Sequence, residues 1–297
     1  MSAKVTSAQL VIKQLQYIEE VTEGTTPSSS PTFNECGKIQ SLSFTRDNSE
    51  IEVGQIGPED LYNLLQGKTV SGFKVKMAIF SSTFLKYCIN AANYGTPAGT
   101  ISTPLSFVFS YYLNGVENFV FFRGARCINW TLEGDISSVI TFSAEFHCIA
   151  VTEPNSSSGL TTPTYITPSS SAVWSWLSGG SAPVQWNSSG VNAIKISVTG
   201  NRNTAEDYTL GNAAPYTIQP HGRRIAFTLT ILRTGVTLSG DQNTATLRTL
   251  AWTLMTATST ITLTNSVLDK LSEERNYDDT KSVAETYNGK CTAVSIT

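Results

Sequence analysis

The sequence predicts a mainly β protein built as two tandem, related domains, each with one short helix. Three observations carry that reading. Apolar and polar residues alternate with period two along the chain, as at 73–79 (FKVKMAI), 225–231 (IAFTLTI) and 259–264 (STITLT). Stretches rich in Ser, Thr, Pro and Gly interrupt it at 24–32, 94–104 and 153–171. These bury too little to order themselves, so they read as loops or linkers. Finally, the order strand, long loop, strand, helix, strands occurs twice, and the pattern at Ser43 recurs at Ser197, 154 residues later.

The elements follow in order. Long polar loops are expected at 46–67 and 200–222, each leading into an alternating strand. Apolar residues near helical spacing behind Ser or Thr predict short amphipathic helices at 82–92 and 244–257. Strands at 105–113 and from 116 onward flank Asn114-Gly115, whose residues supply the positive φ of a type I′ turn, so a hairpin is expected. Each half closes on a strand that opens with a cysteine, Cys148 or Cys291. The expected division is a first domain over 1–152, a linker over 153–171 and a second domain over 172–297.

Composition narrows the function. The chain has 297 residues, 40% hydrophobic and 14% charged, with 74 Ser and Thr. The length suits about two domains, and the apolar share is too high for disorder. The net charge is -3, with no run of four like charges. A strongly basic nucleic-acid binder is thereby excluded, because phosphate binding needs clustered Lys and Arg. Five cysteines, an odd number without a CxxC pair, argue against a disulfide scaffold or zinc ribbon and for buried free thiols in a reducing compartment. The N-terminus has no continuous apolar segment of a secretory signal, and no stretch is long and apolar enough to predict a membrane span.

Catalytic patterns are missing. The two histidines are isolated: His147 lies in a strand, facing opposite to Cys148, and His221 lies in an expected turn. Gly67-Lys68-Thr69 resembles the end of a phosphate loop, but Tyr62 stands where the first glycine belongs and a strand follows. Adjacent acids on strands face opposite ways and make poor acid/base pairs. No catalytic residue, metal site or cofactor is expected. Trp174, Trp176 and Trp186 lie close together; with Trp174 and Trp176 on one strand face, they fit a core, an interface or a sugar-stacking surface. The last option, with the Ser/Thr richness, gives the alternative of a surface adhesin or carbohydrate-binding β protein.

The first half carries further order. Residues 19–27 (EEVTEGTTP), 37–45 (GKIQSLSFT), 51–58 (IEVGQIGP) and 64–72 (LLQGKTVSG) come before the expected helix at 82–92. In that combination the chain resembles the two-domain tail tube proteins of tailed phages and related archaeal viruses. The 153–171 and 174–186 segments have no counterpart in the resemblance. It implies that each domain is a β-sandwich or small barrel with a flanking helix. It also implies rings that stack into a tube conducting the genome to the host, with three duplicated subunits giving pseudo-sixfold symmetry. The implied partners are further copies of the chain and the tape-measure, terminator and baseplate-type tail proteins. Double-stranded DNA would pass through the lumen without specific binding, and no membrane is involved. The implied location is the virion tail, assembled in the host cytoplasm. The long loops would lie on the next ring. Ile51, Val53, Ile56, Leu61 and Leu64 are the expected docking residues, with Leu210, Tyr216 and Ile218 as counterparts. Glu133, Asp135 and Glu145 are the expected lumen acids.

Overall fold

Alternation builds the strands, and the strands account for most of the chain. The structure is a computed structural model that describes residues 10–27, 31–53, 63–89, 103–113, 116–152, 164–167, 169–210, 212–232, 238–256, 258–274 and 284–297. The first half comprises β1 (Leu10–Glu19), β2 (Asn34–Glu35), β3 (Lys38–Val53), β4 (Asn63–Ala78), α1 (Leu85–Ile89), β5 (Leu105–Leu113), β6 (Val116–Asp135), β7 (Thr141–Cys148) and β8 (Ala150–Val151). Its strands pair antiparallel in the order β2-β1-β5-β6-β7-β4-β3, with β8 also on β6.

The second half comprises β9 (Val184–Trp186), β10 (Ser189–Gly190), β11 (Ala193–Asp207), β12 (Thr217–Leu232), α2 (Ser239–Thr244), β13 (Arg248–Met255), β14 (Ser259–Glu274), β15 (Ala284–Cys291) and β16 (Ala293–Ile296). The order is β10-β9-β13-β14-β15-β12-β11, with β16 also on β14. The two sets meet where β11 pairs antiparallel with β6, and a single antiparallel sheet then connects all sixteen strands.

The irregularities also correspond. The β3–β4 ladder breaks between Ile39 and Ser41 and between Asn48 and Glu50. The β11–β12 ladder breaks between Ala193 and Lys195 and between Arg202 and Thr204, each 154 residues on. On β6 the ladder to β7 breaks between Cys127 and Asn129; on β14 the ladder to β15 breaks between Leu268 and Lys270, 141 residues on. At the same shift, Gly124 (φ 62) in β6 corresponds to Asn265 (φ 51) in β14. Asn and Gly are the residues that enter the left-handed region most readily. In both strands this bend lets one long strand serve two sheet layers.

The layers close on aromatic side chains. Phe107 of β5 meets Phe73 of β4 at 5.0 Å and Phe146 of β7 at 4.9 Å between ring centroids. In the second half Trp186 meets Phe227 at 6.2 Å. α1 buries Leu85, Cys88 and Ile89 at the end of the first set, and the apolar core runs on without interruption into the second. A buried carboxylate, Glu20, holds the turn after β1. It accepts from Ser106 Oγ at 2.5 Å, Gly124 N at 2.8 Å and Gly24 N at 2.7 Å. Burial is tolerated because both carboxylate oxygens accept hydrogen bonds.

Several expectations change. The 244–257 segment is not a helix: Arg248–Met255 is β13, with Leu250, Trp252 and Leu254 all buried on one face. Its true neighbour in chain order, α2, is short and polar, without apolar periodicity. The first helix is confined to Leu85–Ile89 within the described residues. The expected loops at 46–67 and 200–222 are strand arms instead: β3 reaches Val53 and β4 starts at Asn63, while β11 reaches Asp207 and β12 starts at Thr217. Polar residues continue the ladders there because backbone pairing needs no apolar side chain. His221 accordingly lies within β12 and not in a turn.

The hairpin expectation stands, with Leu113 opposite Val116; the Asn114-Gly115 turn lies outside the described residues. Described parts of the 153–171 segment lie on the first set of strands. Tyr165 stacks on Phe33 at 5.6 Å, and Gln16 Nε2 donates to the Ile166 carbonyl at 2.6 Å.

α2 has a specific task. Asp241 accepts from Arg248 Nε (3.1 Å) and Nη2 (2.9 Å) and from Trp186 Nε1 (2.7 Å). The Arg248 hydrogen bonds, then that of Trp186, hold its carboxyl below the ordinary 3.8. A depressed carboxylate contributes stability that is fully present above 3.8 and is lost as pH falls through the lower folded value. Asp241→Asn is therefore expected to lower the melting temperature at pH 7 and to make its decline below pH 4 shallower than in the parent. Calorimetry across that range checks it, and parallel acid limbs would refute it.

Candidate assembly face and seam

The middle of the sheet, β3-β4-β7-β6-β11-β12-β15-β14, has one apolar and one polar face. Period two sorts the side chains. Phe73, Val75, Leu132, Val198, Phe227 and Leu229 point into the core. Their neighbours Lys74, Lys76, Thr131, Ser197, Thr199 and Thr228 point the other way. Hydroxyl and amide side chains pair across strands there: Thr228 Oγ1 donates to Asn288 Oδ1 at 2.8 Å, and Thr230 and Thr286 hydroxyls lie 3.1 Å apart. A depression of about 330 Å³ in this face is lined by Ser41, Ser43, Lys74, Lys76, Asn129 and Glu145, among others.

All three expected lumen acids lie on β6 or β7, on this polar face. Glu145 accepts from Asn129 Nδ2 at 2.9 Å and pairs with Lys74 at 3.1 Å. Burial pushes its carboxyl up, but the Asn129 hydrogen bond and the Lys74 ammonium outweigh that and hold it below the usual range. Asp135 is held low mainly by hydrogen bonds from Ser137, Oγ at 2.6 Å and N at 2.9 Å. Glu133 stands opposite Thr141 on β7 and Ser197 on β11. Lys74, Lys76 and Lys195 share the face, so acids and bases are interspersed without a basic stripe.

The seam is the β6–β11 pairing. Its register runs from Lys195 opposite Asp135 to Asn201 opposite Asn129. Next to the Asn201 end of it Gly200 faces Trp130. A Cβ on Gly200 would sit 2.3 Å from the indole Cε2 and Nε1. The missing side chain is therefore what lets the Trp130 ring lie across β11.

Beyond the seam the β11–β12 arm lies over the first set of strands. Glu206 Oε1 is 2.8 Å from His147 Nδ1. Glu23 pairs with Arg126 at 3.0 Å and accepts from Thr217 Oγ1 at 2.8 Å. The Thr69 amide donates to the Ala213 carbonyl at 2.8 Å, and Arg202 Nη2 donates to the Cys88 carbonyl at 3.3 Å. The ends of the eight-strand run are open among the described residues: β3 pairs only with β4, and β14 over Val267–Glu274 pairs only with β15.

The expected inter-ring residues fall into three groups. Leu210 and Tyr216 are exposed at the end of the β11–β12 arm, whereas Ile218 is fully buried in its own chain. Ile51, Val53 and Leu64 lie on the paired β3–β4 arm, opposite Leu65, Asn63 and Glu52. Ile56 and Leu61 lie outside the described residues. The seam itself was not anticipated. The alternation at 129–135 (NWTLEGD) that extends β6 beyond the hairpin is its signal in the sequence.

The tryptophan cluster offers no stacking surface. Trp174, Trp176 and Trp186 are all buried. Trp174 and Trp176 share no strand: Trp174 is fixed by backbone bonds to Ile79 and Ile140, and Trp176 opens a 3-10 turn. Gly67-Lys68-Thr69 lies inside β4, so no phosphate loop forms. Cys36, Cys88, Cys127 and Cys148 are buried free thiols, and burial pushes those of Cys36, Cys127 and Cys148 up. Among the described residues, no group of three His, Cys, Asp or Glu is placed to hold a metal ion, and no helix is long and apolar enough to cross a membrane.

A family model described as phage tail tube protein matches residues 12–291, from within β1 to the end of β15. The chain belongs to the phage tail tube protein family. This tail tube protein is thus a structural component of the virion tail. One solved structure similar to it is Hcp1 from Flavobacterium johnsoniae, at 9% identity and a TM-score of 0.26, covering 38% of this chain and 91% of that one. No curated protein matches the tail tube chain in sequence.

Proposed function

We propose that this tail tube protein is a duplicated subunit, three copies of which close into a ring of six related β units. Rings then stack into the conduit through which the genome leaves the capsid. The observation that carries this is the internal seam. Two sets of strands with the same pairing order, and with ladder breaks at corresponding positions, are joined edge to edge by β6 and β11. The two tandem domains, near 1–152 and 172–297 with the segment between, are these two sets. Edge pairing within a chain shows how edge pairing between chains can proceed, and a closed ring leaves no open edge.

The polar face is assigned to the lumen. Interspersed Lys, Glu and Asp over a Ser/Thr-rich surface give DNA nothing to grip, which suits passage without specific binding. Leu210 and Tyr216, exposed on their arm, are assigned to the neighbouring ring, together with Ile51, Val53 and Leu64 of the β3–β4 arm and with Ile56 and Leu61 of the sequence between those strands. Tape-measure, terminator and baseplate-type proteins would meet the ends of the stack. Assembly would take place in the host cytoplasm.

Negative-stain electron microscopy of the concentrated purified chain tests this. The expected result is hollow rings or tubes with apparent sixfold symmetry and three chains per ring by mass. Dispersed monomers at every concentration and salt tried would overturn it.

A further inference from the structure

The seam inside the chain specifies, residue by residue, the seam between chains. This deepens the ring reading and rests on it. β3 corresponds to β11 at a shift of 154, and β14 corresponds to β6 at a shift of 141, as the matched ladder breaks require. Among the described residues, the edge of β3 that corresponds to the paired edge of β11 is open, and so is the edge of β14 that corresponds to the paired edge of β6. Exposure marks the difference. Val198 is fully buried beside the β6 seam, whereas its counterpart Phe44 is 51% exposed. Phe44 already touches the core, 5.5 Å from both Phe109 and Phe122, so a partner strand would complete a contact and not create one.

We propose that β14 of one copy pairs antiparallel with β3 of the next, in the register that β6 uses for β11. Thr199 opposite Thr131 then becomes Thr45 opposite Ser272 of the neighbour. Asn201 opposite Asn129 becomes Asp47 opposite Lys270 of the neighbour. The arm contact carries over as well. Glu206 and His147, 2.8 Å apart, correspond to Glu52 and Lys290. The same register sets Phe44 opposite Glu273 and Arg46 opposite Leu271 of the neighbour. But the last two pairs named, Asp47 with Lys270 and Glu52 with Lys290, each join an acid to a base, although no residue identity was used to choose the register. In the internal seam the first of these positions holds two neutral asparagines.

Charged pairs occur in both seams, since Lys195 stands opposite Asp135 in the internal one, but only the seam between copies joins separate chains. Exposed ion pairs weaken as salt screens them. Rings therefore open into single chains as ionic strength rises, while each chain keeps its own seam closed.

Site-directed cross-linking of the full chain tests the register. A Thr45→Cys/Ser272→Cys variant in a Cys291→Ser background is oxidised after assembly and run on a non-reducing gel. Dimer and trimer bands that vanish with dithiothreitol are expected. Each single-cysteine variant should give none, and the displaced Ser43→Cys/Ser272→Cys pair at least about tenfold less. Asp47→Lys is expected to weaken ring closure about fivefold per seam, and adding Lys270→Asp should restore it.

Circular dichroism of each variant separates misfolding from lost pairing. Rings by microscopy without cross-linking at Thr45/Ser272, or a double charge swap that fails to recover, would overturn this register and leave the ring reading standing. Folded chains that never assemble would overturn both.

Discussion

Trp252→Ala is expected to destabilise the chain by about 4 kcal/mol, the range for truncating a fully buried tryptophan. Trp252 is 0% exposed on β13. One edge of its ring lies over Gly134 of β6, where an added Cβ would come within 2.5 Å of the indole Cζ2. Its centroid is 6.5 Å from that of Trp176. The side chain therefore joins β6 of the first half to β13 and the Trp176 turn of the second. Truncation removes its own burial and also leaves Gly134 and Trp176 facing a void, because glycine cannot fill the space. Urea unfolding followed by far-UV circular dichroism measures the loss. Trp252→Phe should cost less than half as much, since it keeps a ring against Trp176. A loss below about 1.5 kcal/mol for the alanine variant would mean that the two halves do not lean on this side chain.

The same residue explains where the sequence misleads. Within 247–257 apolar residues fall at spacings compatible with both a helix and a strand, as short apolar segments often do. What decides is tertiary: β9 on one side and β14 on the other offer ladder partners, and only the strand buries Leu250, Trp252 and Leu254 together. The helix that does form there, Ser239–Thr244, is held by Asp241 reaching Arg248 and Trp186, long-range contacts with no periodic trace.

Strands with one buried face, such as Phe73–Ile79 or Ile225–Ile231, were legible because every second residue reports the core. The arms were not. From Arg46 to Val53 and from Asn63 to Gly67, and again from Gly200 to Asp207 and from Thr217 to Gly222, the ladders continue through stretches without regular alternation whose partners lie on another strand. The repeat was visible at Ser43 and Ser197, and it anticipated strands before a short helix in each half, but not the strand arms, the place of the second helix or the junction. The seam depends on which edges are left over once each half has paired, a property of topology and not of any local pattern.

The second large effect is at the seam itself. Gly200→Val is expected to destabilise the chain by about 3 kcal/mol, at the upper end for overpacking. Gly200 is buried opposite Trp130, and the indole atoms Cε2, Nε1 and Cζ2 lie 2.3, 2.3 and 2.6 Å from the position a Cβ would take. The ring is not free to swing away. It is 4% exposed and stacks on Phe142, with centroids 6.4 Å apart. Either β11 lifts from β6 or Trp130 leaves its rotamer, and each disturbs the one strand ladder that joins the two halves among the described residues.

A double-mutant cycle distinguishes a clash at the seam from a general intolerance of β-branched residues. Trp130→Leu alone removes packing and should cost about 2 kcal/mol. Combined with Gly200→Val it should cost clearly less than the sum, because the smaller side chain makes room for the valine. Strict additivity would place the penalty elsewhere on β11 and remove Trp130 from the account. If the coupling is present, the effect should also reach assembly. A lifted β11 tilts one half against the other, so Gly200→Val rings should fail to close under conditions where the chain is still folded.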